Sequence, residues 1–183
     1  VKELLKNKPK DLNPAFRFFA RSDQITPKSV KLMKELGAYE VYIGLESGDQ
    51  NMLDNMNKNT TVKQNLRATK LIGEHDLRLN ASLVLGAPGE DERSLQNTMK
   101  HIEQVSEMVD LESLLCSTWI PLPGSWSYRQ IEDSFAGVDD LDMIELVKKW
   151  VGKMCNASYE TIQEYTERIL EYAPIKDVKG IEK

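Results

Sequence analysis

The sequence predicts an α/β protein whose strands form one parallel sheet. Short apolar runs of strand length alternate with segments of helical periodicity, in the order strand, helix, strand, helix, strand, helix, strand. The connections are long enough for crossovers, which places successive strands parallel in a sheet that is either open or curled into part of a barrel. Near-continuous apolar stretches such as Leu83-Val84-Leu85 suit a sheet covered on both faces.

Each element has a local cause. Val1 to Leu5 reads as a short helix that stops before Pro9, and Phe16 to Ala20 as the first strand. Thr26-Pro27 starts a helix, with Thr26 as the cap and Pro27 where its missing N–H costs nothing. Val30, Met33 and Leu36 form the apolar face of that helix, and Gly37 ends it. The second strand, Glu40 to Leu45, runs into Glu46-Ser47-Gly48, and helices follow at Gln50–Met56 and Val62–Glu74. The third strand, Leu79 to Leu85, ends in Gly86-Ala87-Pro88-Gly89. Leu95, Met99, Ile102 and Val105 share one face of a helix from Asp91 to Val109. The fourth strand covers Ser113 to Ile120 and ends in Pro121-Leu122-Pro123-Gly124. Beyond it the signal is helical: Leu141, Ile144, Val147, Val151 and Met154 mark one helix, and Tyr159, Ile162, Tyr165 and Ile169 another that Pro174 ends. The expected division is 1–134 for the sheet unit and 135–183 for a helical extension.

Composition narrows the function classes. With 183 residues, 40% of them hydrophobic, the chain can bury a substantial core. No apolar run reaches the ~20 residues of a membrane-spanning helix. A net charge of −5 argues against a broad nucleic-acid surface. Cys116 and Cys155 are too few and too far apart for a disulfide scaffold or zinc ribbon, which predicts a reducing, cytoplasmic compartment.

In parallel α/β folds the ligand lies beyond the carboxyl ends of the strands. There the sequence supplies Arg21-Ser22-Asp23, Glu46-Ser47-Gly48, the Gly86 to Glu90 turn, and Pro121 to Gly124. A cation, a carboxylate, a hydroxyl and two glycine-lined backbone approaches suit a zwitterionic ligand with hydroxyls and a flat ring. A phosphate is excluded at the Gly86 turn, because the next helix opens with Glu90-Asp91-Glu92 and no G-x-G-x-x-G or G-K-[ST] is present. Every residue also has a plain structural account. Glu46 could cap a helix, Arg21 could form an ion pair, Lys58 could be a solvated loop lysine, and Ser82 could satisfy a backbone group. His75 and His101 lack partners for a metal, the cysteines read as packing residues, and Trp119 and Trp126, flanking the proline-glycine turn, read as core or as the lining of a pocket.

Four segments in one order carry a resemblance. Phe19-Ala20-Arg21-Ser22-Asp23 with Thr26-Pro27 and Leu32 to Gly37 is similar to an "aRxD…tpelLklmkeaG" unit. Val41 to Leu53 with Met56 to Thr61 is similar to "IGxESG…L…xxKxxT", Leu83 to Glu90 to "iiGlPgE", and Pro121 to Ser125 to "PlPGT". Together, from Phe16 to Tyr128, they resemble the radical S-adenosylmethionine enzymes, especially the branch often carrying a cobalamin-binding domain. The resemblance implies a six-unit partial (β/α) barrel, of which these strands are the third to sixth. It implies that Glu46 contacts the cofactor's ribose, that Lys58 meets the methionine carboxylate, and that Arg21 approaches the methionyl group. Ser82 and Gly86 would lie beside ribose and adenine, Pro88 and Pro121 would flank the adenine, and Ser47 and Val84 belong to the same binding segments.

The family's C-x-x-x-C-x-x-C, which holds a [4Fe–4S] cluster, is absent. The expectation is therefore the C-terminal part of a longer enzyme, inactive alone, rather than an intact chain that has lost its cluster. The resemblance implies that the parent reductively cleaves S-adenosylmethionine to a 5′-deoxyadenosyl radical that abstracts hydrogen from a small-molecule substrate. It also implies the missing N-terminal half of the barrel, and an electron donor such as flavodoxin or ferredoxin, as partners. From the residues alone, two other classes stay open: a non-radical barrel enzyme using Glu46 as acid or base, and a non-catalytic partner module of the same fold.

Overall fold

The computed structural model describes residues 2–7, 9, 12–135 and 142–173. The elements run α1 (Lys2–Asn7), β1 (Phe16–Ala20), α2 (Pro27–Leu36), β2 (Ala38–Glu46), α3 (Gln50–Asn55), α4 (Val62–Gly73), β3 (Arg78–Leu85), α5 (Glu92–Met108), β4 (Leu111–Thr118), α6 (Trp126–Arg129), α7 (Met143–Met154) and α8 (Tyr159–Leu170). The four strands form one parallel sheet in the order β1-β2-β3-β4. The order never reverses, so the sheet lacks the switch point of a doubly wound fold and is instead a consecutive arc of a (β/α) barrel.

Helix starts follow the sequence signals closely. Thr26 with Ser29, Thr61 with Gln64, and Asp91 with Ser94 each form a reciprocal capping box, satisfying N–H groups the helix itself cannot. Gly37 ends α2 with φ 107°, and a Cβ there would sit 2.0 Å from the Pro14 carbonyl oxygen.

Only one face of the sheet is covered by helices among the described residues. Val41, Ile43, Leu45, Leu79, Ala81, Leu83 and Leu85 are fully buried in one hydrophobic core. Tyr42, Gly44, Glu46, Ser82 and Val84 alternate with them and are half-buried, while Leu115 is 58% exposed. The apolar run at Leu83 to Leu85 therefore does not mark a doubly covered strand. Val84 instead packs in a small cluster with Met52, Met56, Ala87 and Trp119 at the strand end. The open face carries a buried carboxylate near its N-terminal edge, where Glu40 is ion-paired with Arg17 and Arg78 and accepts from Asn80 Nδ2 at 3.0 Å.

Helices α7 and α8 join the same core as the sheet. The buried face of α7 is Leu146, Val147, Trp150 and Val151, whereas Ile144 is 57% exposed. The expected stripe is thus rotated, because Trp150 anchors the helix. Its indole N–H donates to the Gly86 carbonyl at 2.8 Å, and its ring stacks on Trp119 at 5.9 Å. The apolar spacing did not reveal this polar contact. Leu141 and Pro174 lie outside the described residues. No helix among the described residues is long and apolar enough to cross a membrane.

Trp150→Phe removes the indole donor and leaves a buried carbonyl only the weak Cys155 thiol contact. Denaturant unfolding should show a loss of about 1–3 kcal/mol with an unchanged m-value.

Candidate functional site

The second strand ends abruptly at Glu46, whose φ is 65°. The Ser47 N–H turns back to the Leu45 carbonyl at 2.8 Å, closing a three-residue turn around Glu46. Its side chain reaches over Gly44, where a Cβ would meet Glu46 Oε1 at 2.4 Å. Glycine is required there for the carboxylate to lie along the open face. Lys58 Nζ donates to that Oε1 at 3.0 Å.

Lys58 is presented by a built loop. Asn57 and Asn59 flank it with φ of 55° and 52°, the left-handed region that asparagine tolerates. The loop is tied down at both ends of the residue: the Lys58 N–H donates to the Leu53 carbonyl at 3.1 Å, and Arg21 Nη2 donates to the Lys58 carbonyl at 3.1 Å. Arg21 also pairs with Asp23 at 3.1 Å, and its guanidinium holds the Asp23 carboxyl below its ordinary range. The Ser22 and Thr60 hydroxyls meet at 3.0 Å. Ala20, Arg21, Ser22, Asp23, Gly44, Glu46, Lys58 and Thr60 enclose a cavity of about 120 Å³ at the carboxyl ends of β1 and β2.

The structure thus brings together three of the residues expected from the sequence: Arg21, Glu46 and Lys58. Ser82 stands beside them, paired in register with Gly44. The others are placed differently. The Ser47 hydroxyl is buried against Thr98 Oγ1 at 3.0 Å and accepts from the Asp49 N–H, so it fastens the turn to α5. Gly86, at φ 81°, lies beneath Val151 and Ile162 and receives Trp150. The Pro88 carbonyl accepts from Asn55 Nδ2 at 2.7 Å, and Pro121 is buried; neither lines the cavity. Sequence reasoning placed Ser22 and Asp23 at a strand end without giving them a role, and did not single out Gly44 or Thr60. Each lies within a motif segment, which was the available signal.

Glu90 fills the Gly86 turn from within. Its carboxylate is fully buried, accepting from the Gly86 N–H at 3.1 Å and from the Ser94 hydroxyl, so the turn's donors are already occupied. Burial, without a cationic partner, raises its pKa to about 7. The cysteines fit no iron–sulfur cluster. Cys116 faces the core, Cys155 Sγ lies 3.4 Å from two backbone carbonyls, and burial pushes both thiols up to about 12. Among the described residues no group of three potential metal ligands converges.

The fold is a consecutive parallel (β/α) arc of barrel type, with a paired carboxylate and cation at its strand ends. The sequence model of the Radical SAM superfamily matches residues 1–102, and the chain belongs to that superfamily. It is 28% identical over 126 residues to an uncharacterized methyltransferase of Pyrococcus horikoshii, covering 68% of this chain and 27% of that protein. It is 24% identical over 165 residues to the tRNA-2-methylthio-N(6)-dimethylallyladenosine synthase of Thermosipho africanus, covering 85% of this chain and 38% of that protein. Among solved structures, the radical S-adenosylmethionine methyltransferase TsrM of Kitasatospora setae, with cobalamin and a [4Fe-4S] cluster bound, superposes with a TM-score of 0.62. The identity is 16%, over 76% of this chain and 28% of that one. The chain therefore spans between about a quarter and two fifths of the length of these relatives.

Two predictions follow from the geometry. Gly44→Ala should leave the fold intact, because the added methyl meets only the far end of a side chain, yet displace the Glu46 carboxylate from Lys58. A crystal structure of the variant would show that ion pair broken. The second concerns pH. Glu90 has a folded pKa raised from 4.5 to about 7, so its contribution to stability falls as pH rises through that window and is level above it. His101 has a folded pKa lowered from 6.5 to about 4 by burial, so its contribution falls as pH drops from 6.5 toward 4. The two slopes oppose each other where the windows overlap. Glu90→Gln removes the first, by on the order of 3 kcal/mol above pH 7. Its denaturation midpoints should then fall more steeply on acidification than those of the parent.

Proposed function

We propose that this chain is the cofactor-orienting part of a radical S-adenosylmethionine enzyme, and that the Arg21–Glu46–Lys58 cavity takes the amino-acid and ribose end of S-adenosylmethionine. The observation that carries the reading is the pairing of Lys58 with Glu46 at 3.0 Å inside one cavity at two strand ends. A cation for the ligand carboxylate, a carboxylate for the ribose hydroxyls, and the Ser22 and Thr60 hydroxyls form the donor set such a zwitterion requires. The cavity holds only part of that ligand, and the remainder would extend along the open face past Ser82. Whether the whole protein transfers a methyl or a methylthio group, as the names of its relatives state for them, is a matter of its substrate site.

When bound, S-adenosylmethionine supplies an activated carbon–sulfur bond, and an iron–sulfur cluster supplies the electron for its cleavage. The residues of this chain would bind, orient and exclude water. No cluster ligand is present here, so the thiolates, any cobalamin and the remaining barrel strands would come from outside these residues. The β1 edge is suited to receive such strands: Phe19 is 76% exposed there, 5.0 Å from Tyr42 across the ladder.

Titration of the chain with S-adenosylmethionine, followed by amide shifts in NMR spectra, tests the reading. Shifts should map to Arg21, Glu46, Lys58 and Thr60. Glu46→Ala and Lys58→Ala should each weaken binding by about tenfold, roughly 1.4 kcal/mol. A ligand that leaves those resonances unmoved at millimolar concentration would refute it.

A further inference from the structure

Charge is spread unevenly over the helices that cover the sheet. Helices α2 and α4 together carry six cations, Lys28, Lys31 and Lys34 on one and Lys63, Arg67 and Lys70 on the other, against one carboxylate, Glu35. The whole chain has a net charge of −5, so the remainder is strongly acidic. All six cations are exposed, and the buried faces of both helices turn the other way, toward the core. The two cation stripes share one surface, because contacts cross between the helices in both directions. Arg67 Nη2 donates to the Ile25 carbonyl just ahead of α2 at 3.3 Å, and Lys34 Nζ donates to the Asp76 carbonyl just beyond α4 at 3.1 Å. Lys28, Lys31 and Lys63 have no partner among the described residues. Nearby carboxylates leave them so: Asp23 is paired with Arg21, and Glu35 and Glu74 stand at the C-terminal ends, where Glu74 meets Lys70 at 3.8 Å.

The fold does not call for this arrangement. A helix N-terminus is the positive end of the macrodipole, where carboxylates are favourable and cations are not. Helices α5, α7 and α8 each carry a glutamate in the first turn, Glu92, Glu145 and Glu160. Helices α2 and α4 have no acid there and place Lys28 and Lys63 at the second helical position instead.

We infer that the outer face of α2 and α4 is a docking surface for the acidic face of another protein. Opposite charge supplies the attraction and steers the partner. The acidic remainder of the chain confines a negatively charged partner to this face. A nucleic acid fits less well, because neither helix offers an aromatic ring for a base to stack on and five of the six cations are lysines. Both helices begin at the end of the sheet that holds the cavity. Thr61, the α4 cap, follows Thr60 of the cavity wall, and Thr26, the α2 cap, comes shortly after Ser22 and Asp23. The partner therefore sits beside the cavity mouth.

The test uses two charge-matched double variants of the full chain: Lys28→Gln with Lys63→Gln on this face, and Lys100→Gln with Lys148→Gln on α5 and α7. Each is titrated at low ionic strength with hexaglutamate, standing in for the acidic face, and with a thymidine oligonucleotide of equal charge, and amide shifts are followed by NMR. Hexaglutamate should shift amides of α2 and α4 in the parent, and added salt should reverse the shifts. The first double variant should bind hexaglutamate roughly tenfold more weakly, the second by less than about twofold. The first should also melt no lower than the second, since it removes cations from two helix N-termini. A lower melting temperature would assign the lysines to the fold and overturn the proposal. Equal weakening by both doubles, or no hexaglutamate shifts on α2 and α4, would overturn it as well. Tighter binding of the oligonucleotide than of the peptide at the same residues would make this a nucleic-acid surface instead.

Discussion

The left-handed turn at Glu46 is the constraint on which the site depends. A non-glycine residue at φ 65° is held against a cost of about 1–3 kcal/mol, and such a conformation persists only where its surroundings over-determine it. Here they do. The Leu45 carbonyl accepts from both the Ser47 N–H and Asn65 Nδ2, while the Ser47 hydroxyl meets Thr98 and the Gly48 N–H donates to the same Thr98 oxygen. Strand β2 is thereby fastened to α4 and α5 at the one residue where it stops. The fastening points the carboxylate back over Gly44 rather than outward into solvent. Lys58, Arg21, Ser22 and Thr60 line the same cavity as that carboxylate.

Three carboxylates along the sheet show how environment sorts chemically identical groups. Glu40, near the N-terminal edge, is almost fully buried but flanked by Arg17 and Arg78, so its charge is matched twice. Glu46, at the opposite end, is matched once by a lysine that solvent can still reach. Glu90 is fully buried with hydrogen-bond donors and no cation, and burial raises its pKa to about 7. A multiply paired carboxylate stabilises a floor, and one buried with donors closes a turn. The carboxylate paired once, by Lys58, is the one of the three that lines the cavity.

Much of the architecture was legible in the chain because it is locally encoded. Thr26-Pro27 announced a helix start, Gly37 announced an end, and short apolar runs located all four strands. Glu46 and Lys58 were visible as motif positions, though no spacing shows that residues twelve apart make an ion pair. Ser47 illustrates the limit. It adjoins Glu46 in sequence, yet the turn sends its hydroxyl the other way, into α5. Gly86 illustrates it again, since its turn is occupied by Trp150 from a helix more than sixty residues away.

The sequence by itself determined the α/β class, the strand order of chemistry-bearing ends, the superfamily, and the lack of cluster-ligating cysteines. These depend on residue type and short spacing, which the chain displays directly. Only the tertiary structure decided that one sheet face stays open, that Glu90 and Ser47 turn inward, that α7 rotates onto Trp150, and that Lys58 pairs with Glu46. Each of these depends on which distant groups compete for the same donor, acceptor or space, and that competition exists only once the chain has folded.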